Sequence, residues 1–169
     1  MKIRAFWLMA GCLLAAGCGG GGPTDTVETR SEAAGGQRIE PRAVFPRPVY
    51  YSGMDVPARE VLRTDAQWQA AWTQVHRHQQ PAPAVPAVDF GRESVVLAAM
   101  GGRNTGGYVI TIDSVTATTD AVHVFVTERS PGSRCFTTQA LTAPVDAVAI
   151  PADGRAVRFH ENAVVHACE

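Results

Sequence analysis

Apolar residues recur along this chain with two periods, and the switch between them divides it. Trp68, Ala71, Trp72 and Val75 fall at i, i+3, i+4 and i+7, the spacing of one helical face. Thr64 and Gln67 just ahead of them form a capping-box pattern, with Thr64 as N-cap. This helix is expected to end by Gln80, because Pro81 to Pro86 is a stiff connector in which proline fixes φ and prevents continuation. Indole rings at this spacing read as core rather than as a binding box.

Upstream, Val49 to Gly53 and Arg59 to Arg63 are each expected to form a short strand, separated by Asp55-Val56-Pro57. Downstream the period becomes two. Val95 to Met100 is a continuous apolar run, as expected of a strand buried on both faces. Tyr108, Ile110 and Ile112 alternate with other residues, as do Val122, Val124 and Val126, and Thr116 to Asp120 between them predicts an antiparallel hairpin. Val145 to Ile150 and Ala156 to Phe159 predict a second hairpin across Asp153-Gly154. Helix first and strands afterwards imply an α+β domain: one amphipathic helix packed on a largely antiparallel β-sheet of about five to seven strands. No internal repeat is visible.

The N-terminus follows neither period. Met1-Lys2-Ile3-Arg4 is basic, Ala5 to Gly17 is apolar or small, and the run closes on Leu14-Ala15-Ala16-Gly17-Cys18. A basic start, a short apolar region and small residues read as a secretory signal, too short to span a bilayer as a helix. The small residues beside the cysteine resemble a bacterial lipobox, in which Cys18 is acylated and becomes the mature N-terminus. Ala15 stands where leucine is commoner in that motif, and Cys12 is a weaker candidate with a very short apolar region. An ordinary cleaved signal with an incidental Cys18 is the alternative. Gly19 to Gly36 is rich in glycine and polar residues without apolar periodicity, the composition of a flexible tether. Gly19 rather than aspartate after the cysteine resembles default sorting to an outer membrane. The expected division is therefore 1–17 lipoprotein signal, 18–42 tether and 43–169 folded domain, anchored by lipid in the cell envelope.

Composition alters this picture in two places. The whole chain of 169 residues carries a formal charge of −1, so no concentrated basic face points to nucleic acid. Loss of Lys2 and Arg4 with the signal leaves 13 of the 15 basic residues, all of them arginine, against 16 acidic ones. Schiff-base and P-loop lysine chemistry are thereby excluded for the mature chain. Of 4 cysteines, Cys12 leaves with the signal and Cys18 takes the lipid, so Cys135 and Cys168 remain as an even pair in an oxidising compartment. A disulfide between them is expected to close a loop of about 34 residues and stabilise by roughly 3–4 kcal/mol. The rivals, a metal site or a catalytic thiol, lack convincing neighbours in the sequence.

Candidate chemistry concentrates in two loops. Gly101-Gly102-Arg103-Asn104-Thr105-Gly106-Gly107-Tyr108 combines four glycines with one cation. It reads either as an anion-holding nest of backbone N–H groups or as a loop whose glycines allow positive φ and close approach. With no lysine and no following helix it is neither a Walker A loop nor a dinucleotide fingerprint. The second stretch, Glu128 to Pro144, contains Arg129, a Pro131-Gly132 turn, Cys135 and Gln139, the last expected to be buried and to satisfy backbone groups of the glycine loop. The sequence has no G-x-S-x-G elbow and no H-E-x-x-H motif. His76 and His78 are two apart on a helix and point to different faces, and His160 and His166 read as exposed polar residues. No catalytic residue, metal ligand or cofactor is assigned.

Five elements in order resemble one family: Asp65-x-x-Trp68-x-x-x-Trp72; Val88-Asp89-Phe90; Gly101-x-Arg103-x-Thr105-Gly106-Gly107-Tyr108; Pro131-Gly132-x-x-Cys135; and Thr138-Gln139-Ala140-Leu141-Thr142-x-Pro144. Together they are similar to the C-terminal domain of the PrcB family, closely over Ser94 to Ile150 and loosely over the tryptophan helix. Asn104 and Val145 stand where proline and tyrosine are frequent in that family. The family's namesake is an accessory lipoprotein of a bacterial cell-surface protease complex. The resemblance implies a non-enzymatic envelope protein that supports or binds another protein such as a protease. Its expected contact surface is Arg103, Asn104, Thr105, Gly106, Gly107, Tyr108, Arg129 and Gln139. The alternative is a protease inhibitor whose glycine-rich loop or Ser130-Pro131-Gly132 turn enters an active site. A sensor for a small anion, resting on Arg103 beside the glycines, is a third reading.

Overall fold

The computed structural model describes residues 36–45 and 49–168; the signal segment, Cys18 and most of the expected tether lie outside them. Chain order is β1 (Gln37–Ile39), β2 (Arg42–Ala43), β3 (Ala58–Leu62), α1 (Asp65–Val75), β4 (Glu93–Ala99), β5 (Val109–Ala117), β6 (Ala121–Pro131), β7 (Val145–Pro151) and β8 (Ala156–His166). Among the described residues these form one helix and two four-stranded sheets, ordered β1-β5-β6-β8 and β2-β7-β4-β3. The class is mainly β with a helix, broadly the α+β expected, but the single sheet of five to seven strands is replaced by two sheets.

The second sheet is the middle of three layers. Val95, Leu97 and Ala99 of β4 pack with Trp68, Trp72 and Val75 of the helix. The alternate residues Val96 and Ala98 pack with Ile110, Ile112, Val122 and Val124 of the other sheet. β7 divides in the same way, with Val145, Ala147 and Ala149 toward the helix and Val148 and Ile150 toward the outer sheet. This double burial is why the β4 run contains no polar residue between Val95 and Met100.

The helix forms as its sequence indicates. Thr64 accepts a hydrogen bond from the Gln67 amide at 3.3 Å, and the Gln67 side chain accepts from the Arg63 amide at 2.8 Å. Trp68, Ala71, Trp72 and Val75 are the buried face. Phe45 inserts against both indoles, with ring centroids at 5.9 and 5.4 Å. The proline connector is a strap across this face: Trp68 Nε1 donates to the Pro86 carbonyl and Trp72 Nε1 to the Pro83 carbonyl, each at 2.9 Å. A segment read from sequence as a spacer thus satisfies the only polar atoms of two buried indoles.

The first hairpin is present, β5 pairing antiparallel with β6 from Val109↔Arg129 to Ala117↔Val122. A bulge displaces the register between Ile112 and Ser114. The second hairpin is not formed. β7 lies in the middle sheet, and β8 crosses to the outer one and runs parallel to β6 from Ala121↔Ala156 to Pro131↔His166. Asp153-Gly154 does turn the chain, with Gly154 at φ +76° and the Asp153 carboxylate accepting from the Arg155 amide at 3.0 Å. Both edges of β7 are already taken by β2 and β4, however, whereas β6, paired with β5 on one side only, offers the edge that β8 fills. Order also begins before Ala43. β1 pairs with β5 and β2 with β7, so the C-terminal end of the expected 18–42 tether belongs to the fold. Val49 and Tyr51 make isolated bridges to Val145 and Ala143 rather than a full strand.

Candidate functional site

The two loops singled out from sequence meet at one end of the sheets. The Arg103 amide donates to the Thr142 carbonyl at 2.7 Å, and the Thr142 amide returns the bond to the Arg103 carbonyl at 2.9 Å. Thr142 Oγ1 donates to the Thr105 carbonyl at 2.8 Å, and the Gly106 amide donates to the Thr138 carbonyl at 2.9 Å. Four bonds therefore lace the glycine loop to the Thr138–Thr142 segment. Two of its glycines are required by that lacing. A Cβ on Gly106 would come within 2.3 Å of Thr138 Oγ1, and Gly107 has φ +88° beside Thr137 and Pro131. The Pro131-Gly132 segment is fastened too: Pro131 pairs with His166, the Gly132 amide donates to the His166 carbonyl at 2.8 Å, and Cys135 and Cys168 are joined by the expected disulfide.

This lacing decides between two readings of the glycine loop. The amides of Gly102, Arg103 and Gly106 are all spent on carbonyls of Asp55, Thr142 and Thr138. Those three amides are therefore not free to hold an anion. The side chain of Arg103 remains. Its guanidinium lies 5.5 Å from the Tyr108 ring centroid and donates to the Gly102 carbonyl at 3.1 Å. Asn104 and Gly107 are exposed, Thr105 is half-buried, and Gly106 is buried. Arg129 is exposed on β6 opposite Val109. Gln139 is exposed, contrary to expectation, because Thr138 and Thr142 take the backbone partners proposed for it.

Beside this cluster lies a cavity of about 630 Å³, lined among others by Tyr51, Asp55, Arg77, His78, Arg103 and Leu141. Arg77 is ion-paired with Asp55 and donates to His78 Nε2 at 3.1 Å. Two large side chains of this lining stand in solvent, Leu141 at 77% and Tyr51 at 58% exposed.

The segment that contains both laced loops also resembles a known family. Residues 94–151, from the start of β4 to the end of β7, match the family model described as PrcB C-terminal. Over this third of the chain the sequence is similar to the PrcB C-terminal family. No curated protein and no solved structure matches the chain. In this structure the matched segment supplies the two central strands, the β5–β6 hairpin and both laced loops, while α1 and β8 flank it.

Two residues that support the matched segment escaped sequence reasoning. Asp146 is buried between the sheets, and its carboxylate accepts the Ile112 amide at 2.8 Å where the bulge has displaced the ladder. An acid inside an otherwise apolar strand was the available signal. Arg59 of β3 forms ion pairs with Glu128 at 2.6 Å and Glu161 at 2.8 Å and donates to the Ala58 and Ala99 carbonyls, bridging the sheets. Nothing in its local sequence indicates those partners. Among the described residues no group of three or more His, Cys, Asp or Glu side chains is arranged to hold a metal ion.

Proposed function

We propose that this chain is a non-enzymatic, lipid-anchored envelope protein that binds and supports another envelope protein, such as a component of a protease complex. The match of residues 94–151 to the PrcB C-terminal family model supports a role beside a protease. The observation that carries the reading is the laced surface itself. Three segments distant in sequence are cross-connected there into one platform, and beside them Leu141 and Tyr51, which line the same cavity, are presented to solvent. Monomeric domains seldom leave large side chains so exposed side by side unless a partner covers them. Cys18, acylated, would hold the platform at the outer membrane by way of the glycine-rich tether.

An inhibitor reading has weaker support. Ser130 and Pro131 are paired in the β6–β8 ladder and Gly106 is buried, so neither segment projects as a free reactive loop. Native purification of the full acylated chain after mild cross-linking in intact cells tests the proposal. A stoichiometric envelope protein is expected in the eluate, and its loss is expected with Leu141→Asp. Recovery of the chain alone, with no protein partner, overturns the reading.

A further inference from the structure

We infer that the cavity beside Arg103 receives a peptide segment of the partner protein in which one carboxylate stands next to an apolar side chain. The inference rests on the binding-module reading above and names the chemistry of its contact. Besides Tyr51, four charged or titratable groups line the cavity. Arg77 and Asp55 neutralise each other, and His78 accepts a hydrogen bond from Arg77. Arg103 is left as the single uncompensated charge: among the described residues no acid pairs with it. Its guanidinium is nonetheless held in place by the Tyr108 ring and the Gly102 carbonyl. A positioned arginine with most of its donors unused matches one carboxylate in bidentate geometry.

The rest of the lining sets the second half of the ligand. Leu141 and Tyr51 flank the opening with exposed apolar surface, which a free anion such as phosphate would leave in water. The volume of about 630 Å³ is far larger than one ion and is in the range of sites that hold a drug-sized group. Strand addition is not available, because the Thr142–Ala143 backbone is already bridged by Arg103 on one side and Tyr51 on the other. Recognition therefore goes through side chains. Arg129 and Arg134, on adjoining segments, also have no acidic partner among the described residues and extend the positive field.

The experiment is selection of a phage-displayed random dodecapeptide library on the immobilised full chain. Enriched peptides are expected to carry Asp or Glu adjacent to Leu, Ile or Phe. Arg103→Gln is expected to weaken the best peptide about 10- to 100-fold, and replacing the peptide's acid by its amide should cost the same without adding to it. Leu141→Ala, at a position too exposed to affect folding, is expected to weaken binding about 5- to 30-fold. Enrichment without an acid, binding unchanged in Arg103→Gln, or displacement of the peptide by millimolar phosphate alone overturns the inference. If Arg103→Gln still co-purifies its native partner undiminished, the acid pocket fails while the binding module stands. If neither peptide nor protein binds, both fail.

Discussion

Asp146→Ala is the substitution whose cost can be worked most directly from the structure. The Asp146 side chain is 3% exposed and sits on the face of β7 that packs against the outer sheet. Its Oδ2 accepts the Ile112 amide at 2.8 Å, at the point where the β5 bulge removes the ordinary ladder partner. Alanine leaves that amide buried and unpaired, which costs about 1–3 kcal/mol, and opens a void where the carboxylate was. Removing a buried carboxylate returns part of this through relieved desolvation. The net expectation is a loss of about 2 kcal/mol. Asp146→Asn keeps an acceptor of the same shape and should lose no more than about 1 kcal/mol. Equilibrium urea unfolding, followed by emission of buried Trp68 and Trp72, is the assay. With a slope of about 2 kcal/mol/M the alanine midpoint should fall by roughly 1 M and the asparagine midpoint by half that or less. An alanine variant within about 0.5 kcal/mol of the parent, or an asparagine variant as damaged as the alanine, would refute the reasoning.

Two further outcomes are expected. Cys135→Ser with Cys168→Ser should lower stability by about 3–4 kcal/mol, the loop-closure value for their separation of 33 residues, and added reductant should destabilise the parent but not the double variant in thermal melts. His76 is buried 4.1 Å from the Trp72 ring, and desolvation holds its pKa below the ordinary 6.5 although Gln79 pulls the other way. The unfolded chain then binds a proton that the folded one refuses. Its contribution is complete above about pH 6.5 and is lost as pH falls from there through the folded value. His76→Phe should flatten that part of the stability–pH curve, and an unchanged slope would remove His76 as its cause.

How much of this was legible in the sequence can be followed through single residues. Thr64, Gln67 and the Trp68–Val75 stripe specify a helix and its buried face within one short window, because caps and 3.6-residue periodicity are local signals. Alternation in β5 and β6 and the short turn between them likewise identify both partners of one hairpin. The Cys135–Cys168 pair followed from parity and compartment. The laced loops were recognisable as motif segments, although only their meeting in space makes Thr142 their connector and leaves Gln139 in solvent.

β8 marks where local reasoning ends. Alternation at Val157 and Phe159 says strand, and Asp153-Gly154 says turn, but neither states which sheet edge is free. That depends on β2, a two-residue strand drawn from the supposed tether, occupying the edge of β7. Asp146 and Arg59 depend in the same way on contacts across 34 and 69 positions of sequence, to Ile112 and Glu128. By itself the sequence determined the helix, the strands from β3 to β8, their buried faces and the disulfide, because each is set by neighbours along the chain or by cysteine parity. Only the tertiary structure decided the partition into two sheets, the parallel β6–β8 pair and the uncompensated Arg103. Edge occupancy and charge balance are properties of the assembled layers, and no single segment carries them.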